Sequence, residues 1–131
     1  FPTRRSSDLV HLFEAAIDLL SYATLLKAQG KDYKSENLLS LSGVYQPKKE
    51  SKDSKIPIAL SVFLEKNPLI KTIHLHLDND KTGRLCANTL KELLRNKYEV
   101  FDEPPKKGKD YNDYLCIQLG IYKSKERSYE R

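Results

Sequence analysis

The sequence lacks long apolar runs, and none approaches the roughly 20 residues that a membrane-spanning helix needs. Its first residues contain no apolar segment typical of a secretory signal. Cysteine is scarce, since Cys86 and Cys116 are the only two, and their spacing to the histidines matches no zinc site. These absences argue against a membrane protein, a disulfide framework and a zinc centre. We expect a cytoplasmic protein with two buried free thiols.

The composition suits one domain with a modest core. The 131 residues are 39% hydrophobic and 31% charged, and the net charge is +5. This length is typical of one domain. Because the lysines are spread along the chain, the positive charge is compatible with a solvated surface as well as with a nucleic-acid partner.

Residues 1–8, FPTRRSSD, are polar and show no periodicity. They resemble the translation of a common sequencing-adapter oligonucleotide. We therefore predict a non-native or disordered leader over residues 1–8, and a natural protein that extends upstream. A genuine basic arm is the alternative.

From residue 9 onward, apolar segments of strand length alternate with segments of helical periodicity. This alternation predicts an α/β fold with a parallel sheet of about four strands and helices on both faces. The domain is expected to span residues 9–120, with a polar tail over 121–131. The predicted strands are 9–13, 37–43, 71–77 and 98–101, and the predicted helices are 15–29, 58–66, 82–96 and 110–119.

Two of the predicted strands end in an acidic residue, because Glu14 follows LVHLF and Asp78 follows KTIHLHL. Ligands of parallel sheets bind at the carboxyl ends of the strands. Asp78 and Asp80 lie two residues apart, about 6.5 Å between Cα atoms in a strand, so their carboxylates would repel each other. A divalent cation such as Mg²⁺ or Mn²⁺ would relieve this repulsion. Alternatively, Asp80 caps the next helix and Asp78 pairs with Lys81 or Arg84.

Four short motifs follow one another in the chain: FEAAID at 13–18, LSGV at 41–44, DNDKTGR at 78–84 and GKDYND at 108–113. In this order they resemble the motifs of the Toprim domain, the catalytic module shared by bacterial-type primases, topoisomerases and several nucleases. FEAAIDLLSY and GKDYNDYL are most similar to Toprim domains of primase-like proteins carried by plasmids and conjugative elements. The chain departs from the family at Ala15, where Toprim domains usually have glycine.

The resemblance implies an acidic catalytic site. Glu14 would be the general acid or base and a metal ligand, and Asp78 and Asp80 would hold Mg²⁺ or Mn²⁺. Asp18 is a further candidate ligand or a support for Glu14. An acid in the first turn of a helix also interacts favourably with the helix dipole, which is the alternative for Asp18.

Basic and supporting residues complete the implied site. Lys81 and Arg84 begin a helix, where phosphates bind well, and pairing with the aspartates is their alternative role. Lys109, with Lys106 and Lys107, forms a basic loop that either contacts nucleic acid or is simply solvated. The remaining supporting positions are Gly43, Asp110 and Asp113, of which Asp110 is equally well explained as a helix cap.

Several aromatic and imidazole side chains fall near these motifs. His74 and His76 lie on the strand that ends at Asp78, and we expect packed imidazoles there rather than metal ligands. Tyr111 and Tyr114 are expected to pack in the core, although tyrosine can also stack on a base.

The resulting hypothesis is that the chain is a primase-like Toprim nucleotidyltransferase, which performs Mg²⁺-dependent nucleotidyl or phosphoryl transfer on DNA. We expect it to be a fragment of a larger mobile-element replication protein. Its partners would be single-stranded template DNA, nucleotides and further domains upstream, with no membrane partner. The alternatives are a Toprim-type nuclease or topoisomerase domain, or a non-catalytic module that binds metal or nucleic acid.

Overall fold

The computed structural model describes residues 8–41 and 55–121 of the chain. They form four parallel strands and four α-helices, with one short 3₁₀ turn, which confirms the predicted α/β fold. In chain order the elements are β1 (Leu9–Phe13), α1 (Ala16–Ala28), the 3₁₀ turn (Tyr33–Ser35), β2 (Leu38–Ser40), α2 (Ile58–Lys66), β3 (Thr72–Leu75), α3 (Lys81–Leu94), β4 (Glu99–Asp102) and α4 (Tyr111–Gln118).

The strand order in the sheet is β2-β1-β3-β4, so β1 and β3 are the central strands. His11 of β1 lies opposite His74 of β3, which in turn lies opposite Phe101 of β4. Because all strands are parallel, their carboxyl ends meet at one edge of the sheet. The acidic residues that follow β1 and β3 are therefore neighbours in space.

One face of the sheet is aliphatic and is covered by α2 and α3. The alternating residues of β1 and β3 on this face are fully buried against apolar side chains of the two helices, as expected for a period of two in a strand. Cys86 of α3 lies in this core, and burial raises the pKa of its thiol to about 11. Neither cysteine forms a disulfide; Cys86 is buried, as expected, whereas Cys116 is only half-buried. The main members of this core are Val10, Leu12, Leu60, Leu64, Ile73, Leu75, Leu77, Ala87, Leu90 and Leu94.

The opposite face carries rings instead of aliphatic side chains. Phe13 of β1 stacks on His76, with ring centroids 5.0 Å apart. Tyr22 of α1 and Tyr111 of α4 close over this pair, each within 5.2 Å of the His76 ring centroid. Helices α1 and α4 therefore cover this second face, and the expectation of helices on both faces is confirmed.

The predicted helix ends agree with the structure at two glycines. Gly30 follows α1 with φ 78°, and Gly120 follows α4 with φ 77°, a left-handed conformation that glycine adopts without strain. Strand β2 is shorter than predicted, and residues 42 and 43 lie outside the described ranges. Within those ranges, no helix has both the length and the apolar character needed to cross a bilayer.

Candidate metal centre

Carboxylates from three separate elements converge beyond the carboxyl ends of β1 and β3. Asp78 follows β3, Asp18 lies in the first turn of α1, and Asp110 is the N-cap residue of α4. One carboxylate oxygen from each lies within 4.8 Å of the other two. Hard oxygen donors at this separation are the ligand type that Mg²⁺ and Mn²⁺ prefer. We call these three residues the aspartate cluster.

Helix α4 is attached to α1 through the aspartate cluster itself. Asp18 is buried, and its Oδ1 accepts a hydrogen bond of 3.2 Å from the backbone N–H of Asn112. The side-chain oxygen of Asn112 accepts a bond from the hydroxyl of Ser21. Asp110 caps α4 by accepting from the N–H of Asp113 at 2.8 Å. Both explanations considered for Asp110 therefore apply: it caps a helix and it belongs to the cluster.

The electrostatics of the aspartate cluster disfavour three negative charges. Burial, followed by the charges of Glu14, Asp18 and Asp110, raises the pKa of Asp78 to about 7. Burial and the charge of Asp110 raise the pKa of Asp18 to about 6. Because the charges of neighbouring carboxylates add to the effect of burial, a bound divalent cation would offset both shifts.

Glu14 lies beside the aspartate cluster with an unsatisfied oxygen. Among the described residues, its Oε1 is one of two buried side-chain oxygens without a hydrogen-bond partner. Burial and the charge of Asp80 raise the pKa of Glu14, and the backbone N–H of Asp78 partly opposes this shift. A buried oxygen without a partner typically costs about 1–3 kcal/mol. This oxygen is therefore available to a ligand, and it fits the donor set of a metal centre.

Asp80 is bound by its own local partners, whereas the Asp-x-Asp spacing alone suggested that its carboxylate would lie together with that of Asp78. Its Oδ1 caps α3 by accepting from the N–H of Gly83 at 2.7 Å, and its Oδ2 lies 3.6 Å from Nζ of Lys109. The capping alternative is thus confirmed for Asp80. It is not one of the three clustered aspartates, although its charge contributes to the raised pKa of Glu14, and its assignment as a metal ligand stays a prediction.

The family model described as Toprim-like matches residues 11–115. The chain belongs to the Toprim-like family. A solved structure of a protein from Aquifex aeolicus is 19% identical, with a TM-score of 0.46, and the match covers 90% of this chain and 84% of that one. Comparison with curated proteins gave no significant match. Toprim domains bind Mg²⁺ through acidic residues, and the aspartate cluster is compatible with such binding.

The glycine of the Toprim-like segment Lys81-Thr82-Gly83-Arg84 is required by a close approach of two backbones. A Cβ atom on Gly83 would lie only 2.0 Å from the carbonyl oxygen of Asp78. The first turn of α3 is thus in direct contact with the backbone of a candidate ligand. Sequence reasoning noted the motif, but a local pattern does not reveal which atoms approach a glycine.

The departure from the Toprim pattern at Ala15 is compatible with the backbone. Ala15 precedes α1 with φ −136° and ψ 158°, an extended conformation that alanine adopts without strain. The glycine usual in the family is therefore not needed here for its conformation. Gly43, the other predicted supporting glycine, lies outside the described residues.

The basic side chains predicted to contact phosphate occupy two kinds of position. Lys81, Lys106, Lys107 and Lys109 are exposed near the carboxyl edge of the sheet, and Lys109 also pairs with Asp80. Arg84 instead forms a 2.7 Å ion pair with Asp102, the last residue of β4. Sequence reasoning missed Asp102, although it is a third acid at the end of a strand. The phosphate contacts of the lysines and of Arg84 stay predictions.

Gly108 and Asp113 shape the loop that carries Lys109. Gly108 has φ 82°, and a Cβ atom there would lie 2.6 Å from Cβ of Asp113. The N–H of Lys109 donates to Oδ2 of Asp113 at 3.0 Å. Asp113 therefore holds the backbone of this loop and is not a member of the aspartate cluster, and its supporting role in the site stays a prediction.

His76 is packed beneath the site, as expected from the sequence, and His11 packs against it. Nδ1 of His11 lies 2.8 Å from Nε2 of His76, and Nε2 of His11 lies 2.9 Å from Glu36. Nδ1 of His76 reaches the hydroxyl of Tyr111 at 3.1 Å. Burial lowers the pKa of His76 to about 3, so this imidazole is neutral at neutral pH. Tyr111 is buried in the core, which agrees with the packing role predicted for it.

Proposed function

We propose that the chain is a primase-like Toprim domain that transfers nucleotidyl or phosphoryl groups on DNA with Mg²⁺ or Mn²⁺. The observation that carries the proposal is the aspartate cluster with the buried, unpartnered oxygen of Glu14 beside it. We further propose that residues 9–120 form the catalytic domain of a larger mobile-element replication protein in the cytoplasm, with a non-native leader at 1–8 and a polar tail at 121–131.

The residues that would hold the metal are Asp18, Asp78 and Asp110, with Glu14 and Asp80 as further ligands. A bound Mg²⁺ would neutralise phosphate charge and increase the electrophilicity of phosphorus. The fit is good because every donor is a carboxylate oxygen, and because three raised pKa values have mutual repulsion among their causes.

Glu14 is the proposed general acid or base. The pKa of Glu14 is shifted toward neutral pH, which favours proton transfer in both directions. The carboxylate would accept a proton from an attacking 3′-hydroxyl, and the carboxylic acid would return a proton to a leaving oxygen. Lys81, Lys106, Lys107 and Lys109 are the proposed contacts to the phosphates of nucleotides and of a single-stranded template.

Extension of a primer on single-stranded template, with Mg²⁺ or Mn²⁺, tests the proposal. Wild-type protein should incorporate nucleotides, whereas Glu14→Gln should lose turnover and keep its affinity for DNA. Glu92→Gln, on the exposed side of α3, is the matched control. Unchanged synthesis by Glu14→Gln would reject the catalytic role of Glu14.

The same preparations separate the alternatives. Cleavage of the oligonucleotide without synthesis would favour a nuclease, because water would then replace the 3′-hydroxyl as nucleophile. Relaxation of supercoiled plasmid would favour a topoisomerase. Binding of metal or DNA without any of these activities would favour a non-catalytic module.

A further inference from the structure

Arg84 uses its side chain to hold backbone at the carboxyl end of β3. Its NH1 group donates to Oδ2 of Asp102 at 2.7 Å. Its Nε–H donates to the carbonyl oxygen of Asp78 at 3.4 Å, and its NH2 group donates to that of Leu77 at 3.5 Å. One guanidinium group thus bridges the ends of two neighbouring strands, and one of the residues it holds is a candidate metal ligand.

The Asp78 backbone is confined by two neighbouring residues in the first turn of α3. Gly83 leaves no space for a Cβ atom against the Asp78 carbonyl, so this backbone cannot move toward α3. Arg84 contacts the same carbonyl with its side chain, and its N–H continues the helix by donating to Asp80 at 2.8 Å. The position of the Asp78 carboxylate therefore depends on the first turn of α3.

Asp102 holds Arg84 in this orientation. Its side chain is only 19% exposed, and its Oδ1 is buried without a hydrogen-bond partner among the described residues. Loss of the guanidinium would leave both carboxylate oxygens of Asp102 without a partner, which is strongly unfavourable for a poorly solvated charge. Movement of Arg84 toward a phosphate would leave the poorly solvated Asp102 carboxylate without a partner, and this cost opposes the movement.

We propose that Arg84, fixed by Asp102, is a positioning residue for the metal ligand Asp78 rather than a phosphate contact. This inference rests on the metal site of the proposed function. The planar guanidinium fork is essential to the role, because it makes three separated contacts that a lysine ammonium cannot reproduce. Asp102 has no part in binding phosphate and serves only to orient Arg84.

Binding of Mn²⁺, followed by calorimetry and by the electron paramagnetic resonance signal of the bound ion, tests the proposal. Arg84→Lys and Asp102→Asn should each weaken Mn²⁺ binding by about tenfold or more, the usual effect of losing a residue that orients a ligand. Arg95→Gln, at the exposed end of α3, is the control and should bind Mn²⁺ as wild type does. Thermal unfolding of every variant identifies any that fails to fold.

A phosphate contact predicts the opposite pattern. Arg84→Lys would then keep DNA binding and leave Mn²⁺ affinity unchanged, and Asp102→Asn would strengthen DNA binding by releasing Arg84. Either result overturns the positioning role.

Amide hydrogen exchange over residues 77–80 provides a readout that does not need metal. Arg84→Lys should increase exchange there, and unchanged exchange rejects the positioning role even if Mn²⁺ does not bind. Failure of wild-type protein to take up Mn²⁺ rejects the metal site of the proposed function. The two failures are therefore distinguishable.

Discussion

Replacing Gly83 by alanine tests how closely α3 approaches the site. The new Cβ atom would lie 2.0 Å from the Asp78 carbonyl oxygen, well inside the 3.4 Å at which ordinary contact begins, so α3 or the Asp78 turn must shift. Overpacking of this kind typically costs about 1–3 kcal/mol. Alanine regains at most about 1 kcal/mol through its higher helix propensity. The difference is a net loss of about 0–2 kcal/mol in the free energy of unfolding, and we expect the upper half of this range because the new Cβ atom would overlap backbone rather than a flexible side chain.

Urea unfolding at constant pH, together with Mn²⁺ titration, measures both consequences of this change. Because the shift displaces the backbone of a proposed ligand, Mn²⁺ affinity should fall along with stability. Asn88→Ala, at an exposed position of the same helix, is the control and should be neutral or slightly stabilising. A Gly83→Ala protein as stable as wild type, with unchanged Mn²⁺ affinity, would show that the close contact with Asp78 does not exist.

Three further predictions concern charge and packing. In EDTA, the free energy of unfolding should fall as the pH rises from about 4 to about 7, because the folded state keeps protons on Asp78 and Asp18 that the unfolded chain has released. Thermal unfolding measures this profile, and a flat profile would contradict the raised pKa values. Asp78→Asn should unfold at a higher temperature than wild type at about pH 8 in EDTA and should lose Mn²⁺ binding, and a less stable variant would show that repulsion is unimportant. His76→Phe removes a buried hydrogen-bonding ring and should lower the free energy of unfolding, measured in urea, by about 1–3 kcal/mol. His74→Phe, at a less buried position, should cost less. Equal losses in the two variants would argue against the buried network.

Local patterns were sufficient to predict most of the fold. Ile73 and Leu75 of β3 alternate with His74 and with His76, the residue after the strand, and this period of two predicts the strand and its two faces. Glycines just beyond α1 and α4 marked the helix ends. Acids directly after two strands then indicated the candidate metal site at one edge of the sheet, because parallel strands bring those ends together.

The membership of the aspartate cluster depends on contacts that are distant in sequence. Asp110 lies 92 residues after Asp18, and its local pattern indicates only a helix cap. It approaches Asp18 because α4 packs on α1, where Asn112 donates to the Asp18 carboxylate. A single sequence does not encode that pairing in any short window. For the same reason the Arg84–Asp102 ion pair, which joins α3 to β4, was not foreseen.

The two faces of the sheet contribute to the site in different ways. Asp78 is held from the aliphatic side, where the first turn of α3 contacts its backbone. Asp18 and Asp110 come from α1 and α4, which cover the ring-lined side. His76 hydrogen-bonds to Tyr111. His76 lies two residues before Asp78, and Tyr111 directly follows Asp110. This contact between the rings therefore limits the distance between Asp78 and Asp110. A cation bound by the three aspartates would therefore join the layers on both sides of the sheet, and metal binding should stabilise the whole domain rather than one loop.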